Sequence, residues 1–334
     1  MAATPQTNTT LEQMARRMRE CDDFVICGHV NPDGDCLGSQ LALMHTLRAL
    51  GKRAVCVLAK PAPIDRGLRF LPGADELVPA CDFAGHAGAF VACDVPTSER
   101  IADGDAIRMR ADVRFTIDHH AVDTSMADFN YVDADAPACG MLAWELVKLL
   151  AGDPSPEAAT CCYTALMTDT GRFQYQNADA AALRAAAEMV DAGADAAAIS
   201  SEVYQSRSYA SLMLERAMLG NLSMAPDGSW ALSHVRHDDF ERLGAVRSDA
   251  EPLVDIVRSI AGVRVACMLR EQADGVRGSL RAKGDDIDVS ALARRIGGGG
   301  HRAAAGFTFD GTLEEALRAM PAYLDELTAS AGAR

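Results

Sequence analysis

Short apolar runs alternate with helical patterns along the first half of the chain. The strand-like runs are 24–27, 53–58, 89–93 and 113–117. Apolar residues recur at helical spacing in the segments 10–20, 36–50, 138–151 and 156–168. Strands separated by helices predict an α/β fold, a doubly wound and mostly parallel sheet with helices on both faces.

The last third of the chain has a different pattern. Strand patterns at 223–225 and 230–235 flank a Pro-Asp-Gly turn, and those at 263–271 and 275–282 predict a second hairpin. A helix near 289–296, four glycines at 297–300, a strand at 306–309 and a closing helix follow. We therefore predict a second, smaller α/β domain. The predicted domains are 1–192 and 221–334, and they are joined by a helical linker at 193–220.

Acidic and histidine residues follow three of the predicted strands where each strand ends. They are His29, Asp33 and Asp35 after the first strand, Asp94 after the third, and Asp118, His119 and His120 after the fourth. In open parallel sheets, ligands bind beyond the carboxyl ends of the strands. Imidazole nitrogens together with carboxylate oxygens suit Mn²⁺, with Mg²⁺, Fe²⁺ or Co²⁺ as alternatives.

One more carboxylate, Asp169, lies at the end of a predicted helix just before Gly171. The helix dipole disfavours an acidic residue there, and a metal ion would compensate for it. A simpler interpretation also stands, because Asp-Gly-Asp turns such as 33–35 are typical helix caps and paired histidines recur at protein surfaces.

The four glycines at 297–300 are the main signal of the second domain. Glycine lets a backbone approach a ligand closely and present N–H groups to an anion. The nearby side chains of His301, Arg302, Ser279 and Arg281 could surround a phosphate. A flexible linker is the alternative interpretation of this run.

Composition limits the partners of this chain. Among its 334 residues, 47 are acidic and 32 basic, which gives a formal net charge of −15. This charge argues against binding to long duplex nucleic acid, but it leaves room for one local site for a small anion. The sequence shows neither a membrane-spanning run nor a signal peptide, so we expect a cytoplasmic protein without a membrane partner. Ten cysteines without a CxxC pair favour buried free thiols over disulfides or a zinc site.

Together these motifs resemble the DHH phosphoesterase family with its C-terminal DHH-associated domain, and within it the branch of bifunctional oligoribonucleases and pAp phosphatases. The matching segments are 28–39, 94, 117–120, 131–133, 168–174, 279–281 and 297–306. They occur in the family's order and extend over nearly the whole chain. One departure is Cys139, where the family pattern would have a hydroxyl residue. The resemblance implies a smaller domain that faces the first across a cleft.

The resemblance also implies a role for each candidate residue. It assigns one Mn²⁺ to His29 and Asp33, a second Mn²⁺ to Asp35, His119 and Asp169, and a bridging position to Asp94. It implies that His120 contacts the scissile phosphate and that Asp118 supports the imidazoles. The other phosphate or the terminal nucleotide of the substrate would meet a set in the second domain: Arg281, Gly299, Gly300, His301 and, less directly, Ser279.

The implied activity is Mn²⁺-dependent hydrolysis of short RNA fragments to 5′-mononucleotides and removal of the 3′-phosphate of pAp. Cleavage of pApA or cyclic dinucleotides is a further expectation, with Mg²⁺ or Co²⁺ as substitute ions. Homodimers are common in the family, while the sequence leaves the oligomeric state open. Two alternatives are a DHH-type inorganic pyrophosphatase and a non-catalytic nucleotide sensor. A sensor would be expected to lack a metal ligand, and all the expected ligands are present.

Overall fold

The computed structural model describes residues 6–121, 125–284, 286–300 and 302–331. The chain forms two compact units, Met1–Ser206 and Arg207–Arg334. The predicted linker, 193–220, spans the division between them. None of the helices in the described ranges is long and apolar enough to cross a membrane. All ten cysteines are free, and all except Cys81 are buried.

The first unit contains a six-stranded sheet in which every strand pair is parallel. Its strands are β1 (Phe24–Cys27), β2 (Ala54–Leu58), β3 (Val78–Pro79), β4 (Ala89–Cys93), β5 (Val113–Asp118) and β6 (Phe129–Val132). They are arranged in the order β3-β2-β1-β4-β5-β6. The predicted parallel α/β fold is therefore confirmed. Because the strand order reverses between β1 and β4, the ends of these two strands open onto a crevice.

Helices complete the first unit and cover both faces of the sheet. They are α1 (Leu11–Glu20), α2 (Gly34–Ala49), α3 (Asp105–Arg110), α4 (Cys139–Ala151), α5 (Pro156–Asp169), α6 (Ala180–Asp191) and α7 (Ala196–Gln205). Along β1, Phe24 and Ile26 enter one apolar cluster while Val25 and Cys27 enter another. This alternation shows a sheet that is buried on both sides. Helix α2 begins at Gly34, earlier than predicted, so Asp35 lies in its first turn.

The second unit contains a six-stranded mixed sheet. Its strands are β7 (Ser223–Met224), β8 (Trp230–Val235), β9 (Val265–Gln272), β10 (Gly275–Ala282), β11 (Gly298–Gly300) and β12 (Ala304–Phe309), in the order β11-β12-β10-β9-β8-β7. Both predicted hairpins are present, and only β8 and β9 pair in parallel. The helices of this unit are α8 (Tyr209–Gly220), α9 (His237–Leu243), α10 (Leu253–Ser259), α11 (Val289–Arg295) and α12 (Leu313–Ala331).

The glycine run forms an edge strand, not the flexible linker of the alternative interpretation. Strand β11 pairs antiparallel with β12, and Gly298 lies opposite Phe307. A Cβ on Gly298 would lie 2.0 Å from the carbonyl oxygen of Gly306, and Gly297 and Gly300 have φ values of +84° and +139°. Backbone conformation or close packing therefore requires glycine at three of these four positions, which the sequence alone did not reveal. Gly299 differs, because a Cβ there would have no heavy atom within 4 Å.

A close contact between α2 and α5 gives a testable expectation about stability. A Cβ on Gly38 would lie 2.4 Å from the carbonyl oxygen of Cys161, so an alanine there must push the two helices apart. We expect Gly38→Ala to lower the free energy of unfolding by about 1–3 kcal/mol. The matched control is Gly220→Ala, at the end of α8, where the space around a Cβ is open. Thermal melts followed by circular dichroism should show a lower Tm for the first variant alone, and equal melts would contradict this packing argument.

Candidate active site

The ends of β1, β4 and β5 lie side by side and bring the predicted residues together. The register pairs Cys27 with Ala92 and Cys93 with Ile117, so the residues that follow these strands meet at one edge. Asp94, directly after β4, has a φ of +59°, and its N–H donates to the carbonyl of Ile117 at 3.0 Å. A left-handed conformation costs a non-glycine residue about 1–3 kcal/mol and is often found at functional sites.

His29 lies between two carboxylates. Its Nε2 is 3.3 Å from Oδ2 of Asp94 and 3.6 Å from Oδ2 of Asp33. The other oxygen of Asp33, Oδ1, accepts the N–H of Cys36 at 3.0 Å and caps α2. The two interpretations of this turn are therefore compatible, because one carboxylate oxygen caps the helix while the other faces the imidazole.

His119 faces three carboxylates. Its Nε2 lies 3.5 Å from Oδ2 of Asp35, 3.5 Å from Oδ1 of Asp94 and 3.9 Å from Oδ2 of Asp169. Its Nδ1 donates to the carbonyl oxygen of Ala136 at 3.2 Å. Asp94 thus directs one oxygen toward His119 and the other toward His29.

The first turn of α4 holds Asp35 in place. The backbone N–H groups of Cys139 and Gly140 donate to its Oδ2 and Oδ1, each at 2.7 Å. The thiol of Cys139 is buried and donates to the carbonyl of Ile117 at 3.2 Å. Residue 139 therefore acts here through its backbone. Residue type does not reveal these two N–H groups; their one signal in the sequence is the predicted helix that begins at 138, since a helix N-terminus attracts carboxylates.

The electrostatics of this cluster call for a cation. Burial raises the pKa of Asp35 well above its usual range and the pKa of Asp169 to about 6. Burial opposes protonation of His29, but its contacts with Asp33 and Asp94 outweigh this effect and raise its pKa to about 10. Because Nδ1 of His119 donates to a carbonyl, its Nε2 can be stabilised beside the carboxylates only by a proton or a metal ion.

The donor atoms are also close enough to hold such an ion. Three groups each have their ligand atoms within 4.8 Å of one another: Asp35 with His119 and Asp169; Asp94 with His119 and His120; and His29 with Cys36 and Asp94. Oδ1 of Asp94 is buried without a hydrogen-bond partner among the residues that the structure describes. Oxygen and nitrogen donors in this arrangement fit a divalent metal ion.

His120 lies beside this cluster and is oriented by Asp118. Its Nδ1 donates to Oδ1 of Asp118 at 2.7 Å and lies 3.5 Å from Oδ1 of Asp94. Asp118 is the buried last residue of β5. With Nδ1 engaged in this way, Nε2 is the ring nitrogen that could meet a substrate.

Three of the predicted residues of the second unit, Ser279, Arg281 and Gly299, lie on one sheet face. Ser279 pairs with Gly306, and Gly306 pairs with Gly299, so these three form a row across β10, β12 and β11. Arg281 lies two residues further along β10 on the same face, with its Nε 3.7 Å from Oδ1 of Asp255. Gly300 pairs with Ala305 in the neighbouring row. His301 lies outside the described residues.

A parallel sheet that gathers imidazoles and carboxylates at adjacent strand ends, in a set that fits a divalent ion, defines a metal-dependent α/β hydrolase. Residues 23–166 match the N-terminal domain of the DHH family, and residues 239–329 match the DHHA1 domain. The chain therefore belongs to the DHH phosphoesterase family, as its resemblance predicted.

Similar proteins match over nearly their whole length. The chain is 31% identical to the bifunctional oligoribonuclease and PAP phosphatase NrnA of Thermus thermophilus, over 91% of this chain and 90% of that protein. It is 29% identical to NrnA of Bacillus subtilis, over 88% and 91% of the two chains. Its fold matches the crystal structure of an exopolyphosphatase-related protein from Bacteroides fragilis, with a TM-score of 0.90, 27% identity, and 98% and 99% of the two chains covered.

Proposed function

We propose that this protein is a cytoplasmic, Mn²⁺-dependent phosphoesterase that degrades short oligoribonucleotides to 5′-mononucleotides and removes the 3′-phosphate of pAp. The observation that carries the proposal is the meeting of two imidazoles and four carboxylates at the ends of three adjacent strands and of α5. The relatives named for these two activities support the choice of substrates. Dinucleotides such as pApA would follow from the same bond chemistry.

In this proposal, the cluster would hold two ions. His29 and Asp33 would hold one, and Asp35, His119 and Asp169 would hold the other. Asp94 would contribute to both, which is supported by the direction of its two oxygens toward different histidines. When bound, such ions activate water for attack on phosphorus and stabilise the charge that develops on the phosphate.

The surrounding residues would hold these groups and the substrate in position. Asp118 fixes the His120 ring through Nδ1, so Nε2 in its protonated form can donate to an oxygen of the scissile phosphate. The N–H groups of Cys139 and Gly140 keep both oxygens of Asp35 in a fixed orientation. Preorganised donors of this kind act without reorganisation during the reaction, which is why they accelerate it.

The second unit would bind the other end of the substrate. We assign the second phosphate or the terminal nucleotide to Arg281, with support from Ser279, the backbone of Gly299 and Gly300, and His301. The open space at Gly299 and the exposure of Gly306 beside it support this role, because a ligand can reach the backbone there.

A substrate panel tests the proposed function. With Mn²⁺, the purified protein is expected to release phosphate from pAp and mononucleotides from an RNA trinucleotide, and to act weakly on long RNA because of its acidic charge. Turnover of pyrophosphate without turnover of pAp would instead identify a pyrophosphatase. Nucleotide binding without turnover that Mn²⁺ stimulates would identify a sensor.

A further inference from the structure

One face of the second sheet carries arginines beyond Arg281. Along β10, Val276 and Leu280 enter the apolar cluster on one side. Arg277, Ser279 and Arg281 therefore point to the other side, since side chains alternate along a strand. Arg277 is four residues from Arg281 and two from Ser279, and none of the proposed roles described above involves it.

Arg277 lies directly opposite a second arginine. The register pairs it with Arg270 of β9 on one side and with Thr308 of β12 on the other. Its Nη1 donates to Oγ1 of Thr308 at 2.9 Å. Like charges at directly opposite positions destabilise a sheet, so this pair calls for a compensating charge.

Glu251, which pairs with Arg270, compensates only in part for the charge of the two arginines. The side chain of Arg270 is 11% exposed, and its one ion-pair partner in the described ranges, Glu251, is 65% exposed at 3.4 Å. Within these ranges, the buried Nε of Arg270 has no hydrogen-bond partner. Burial lowers the pKa of Arg270, and Arg247 and Arg277 also contribute in this direction. A buried donor without a partner is costly unless a ligand satisfies it.

The face around these arginines is open to a ligand. Helix α10 packs against β9 and also contacts β10 and β8, so it covers the part of this face around Ala266 and Met268 of β9. On β12, by contrast, Gly306 and Thr308 are exposed. Positions two residues apart on a strand are separated by roughly 7 Å, which is comparable to one nucleotide step along an extended chain. Arg281, Ser279 and Arg277, which are spaced along one side of β10, could therefore contact successive phosphates of an RNA strand.

We propose that Arg277, with Arg270 behind it and Thr308 beside it, forms a second anion subsite for an internal phosphate of an oligoribonucleotide. This inference rests on the proposed function and deepens it. The two phosphates of pAp are accounted for by the metal cluster and the Arg281 site. A longer substrate brings a further phosphate, which two guanidinium groups can bind through paired charge-assisted hydrogen bonds. The subsite thus distinguishes oligonucleotides from pAp.

The test compares KM for pAp and for a 5′-phosphorylated RNA trinucleotide in four proteins: the wild type and the variants Arg277→Gln, Arg281→Gln and Arg318→Gln. We expect Arg277→Gln to raise KM for the trinucleotide about tenfold or more, with KM for pAp within about twofold and kcat for both substrates preserved. Arg281→Gln should raise KM for both substrates. Arg318 is an exposed residue of α12, which packs on the opposite sheet face, so its variant should change neither.

Other outcomes separate the inference from the proposed function. If Arg277→Gln changed KM equally for both substrates, or left KM for the trinucleotide unchanged, the subsite would be refuted. Turnover of both substrates by the wild type would still support the proposed function. If the wild type hydrolysed neither substrate, the proposed function would fail, and equilibrium binding of the trinucleotide in EDTA would still decide the subsite. Should Arg277→Gln fail to fold, Arg277→Lys provides the test, because it keeps the charge, loses the planar fork and should give an intermediate KM.

Discussion

Replacing Asp94 by asparagine is expected to abolish metal binding and catalysis together. Asp94 is the residue whose two carboxylate oxygens face different imidazoles, His29 and His119. Asparagine tolerates the left-handed conformation at φ +59° nearly as well as aspartate, so the substitution removes the charge and spares the backbone. Losing an outer-shell partner of a metal site costs about 10- to 100-fold, and losing a shared ligand should cost about 10³-fold or more in kcat/KM.

Metal content and activity are measured on the same Asp94→Asn preparation. Elemental analysis after incubation with Mn²⁺ and gel filtration should show loss of bound metal relative to the wild type. The matched control is Asp128→Asn, which removes a first-unit carboxylate that pairs with Arg114 outside the cluster. Full metal occupancy in Asp94→Asn, or equal metal loss in Asp128→Asn, would refute the assignment of Asp94 as the bridging ligand.

Much of the candidate metal site follows from sequence because side chains at strand ends supply its donor atoms. Once 24–27, 89–93 and 113–117 are recognised as parallel strands, the residues that follow them must meet at one edge of the sheet. His29, Asp94 and His119 could therefore be placed together without coordinates. Asp33 shows where this reasoning stops, since spacing could not separate a helix cap from a ligand. The structure gives each of its oxygens a different partner.

Backbone groups and strand register account for what sequence could not predict. The backbone N–H groups of residues 139 and 140 that donate to Asp35 cannot be predicted from residue type, because any residue other than proline supplies an N–H. The glycines at 297–300 pointed to a ligand, but close packing against β12 explains most of them. Likewise, Arg270 and Arg277 become a pair only through the register of β9 and β10.

Replacement of His120 by glutamine should separate phosphate contact from metal binding. His120 is tied to Asp118 through Nδ1, so its Nε2 is the nitrogen that can meet the scissile phosphate. Removing one preorganised donor to a developing negative charge costs about 10²- to 10³-fold in kcat. We therefore expect this loss in His120→Gln, with Mn²⁺ content close to that of the wild type. Asp118→Asn, which disturbs only the orientation of the ring, should lose about 10- to 100-fold.

The control for His120→Gln is His86→Gln, since His86 is an exposed first-unit histidine that pairs with Asp112. It should keep both kcat and metal content. Loss of metal in His120→Gln would show that His120 is itself a metal ligand. Its Nδ1, 3.5 Å from Oδ1 of Asp94, is close enough for that role. A rise in KM with kcat unchanged would instead make it a ground-state binding residue, because only interactions that strengthen in the transition state appear in kcat. The kcat loss at constant metal content is thus the result that assigns His120 to the reacting phosphate.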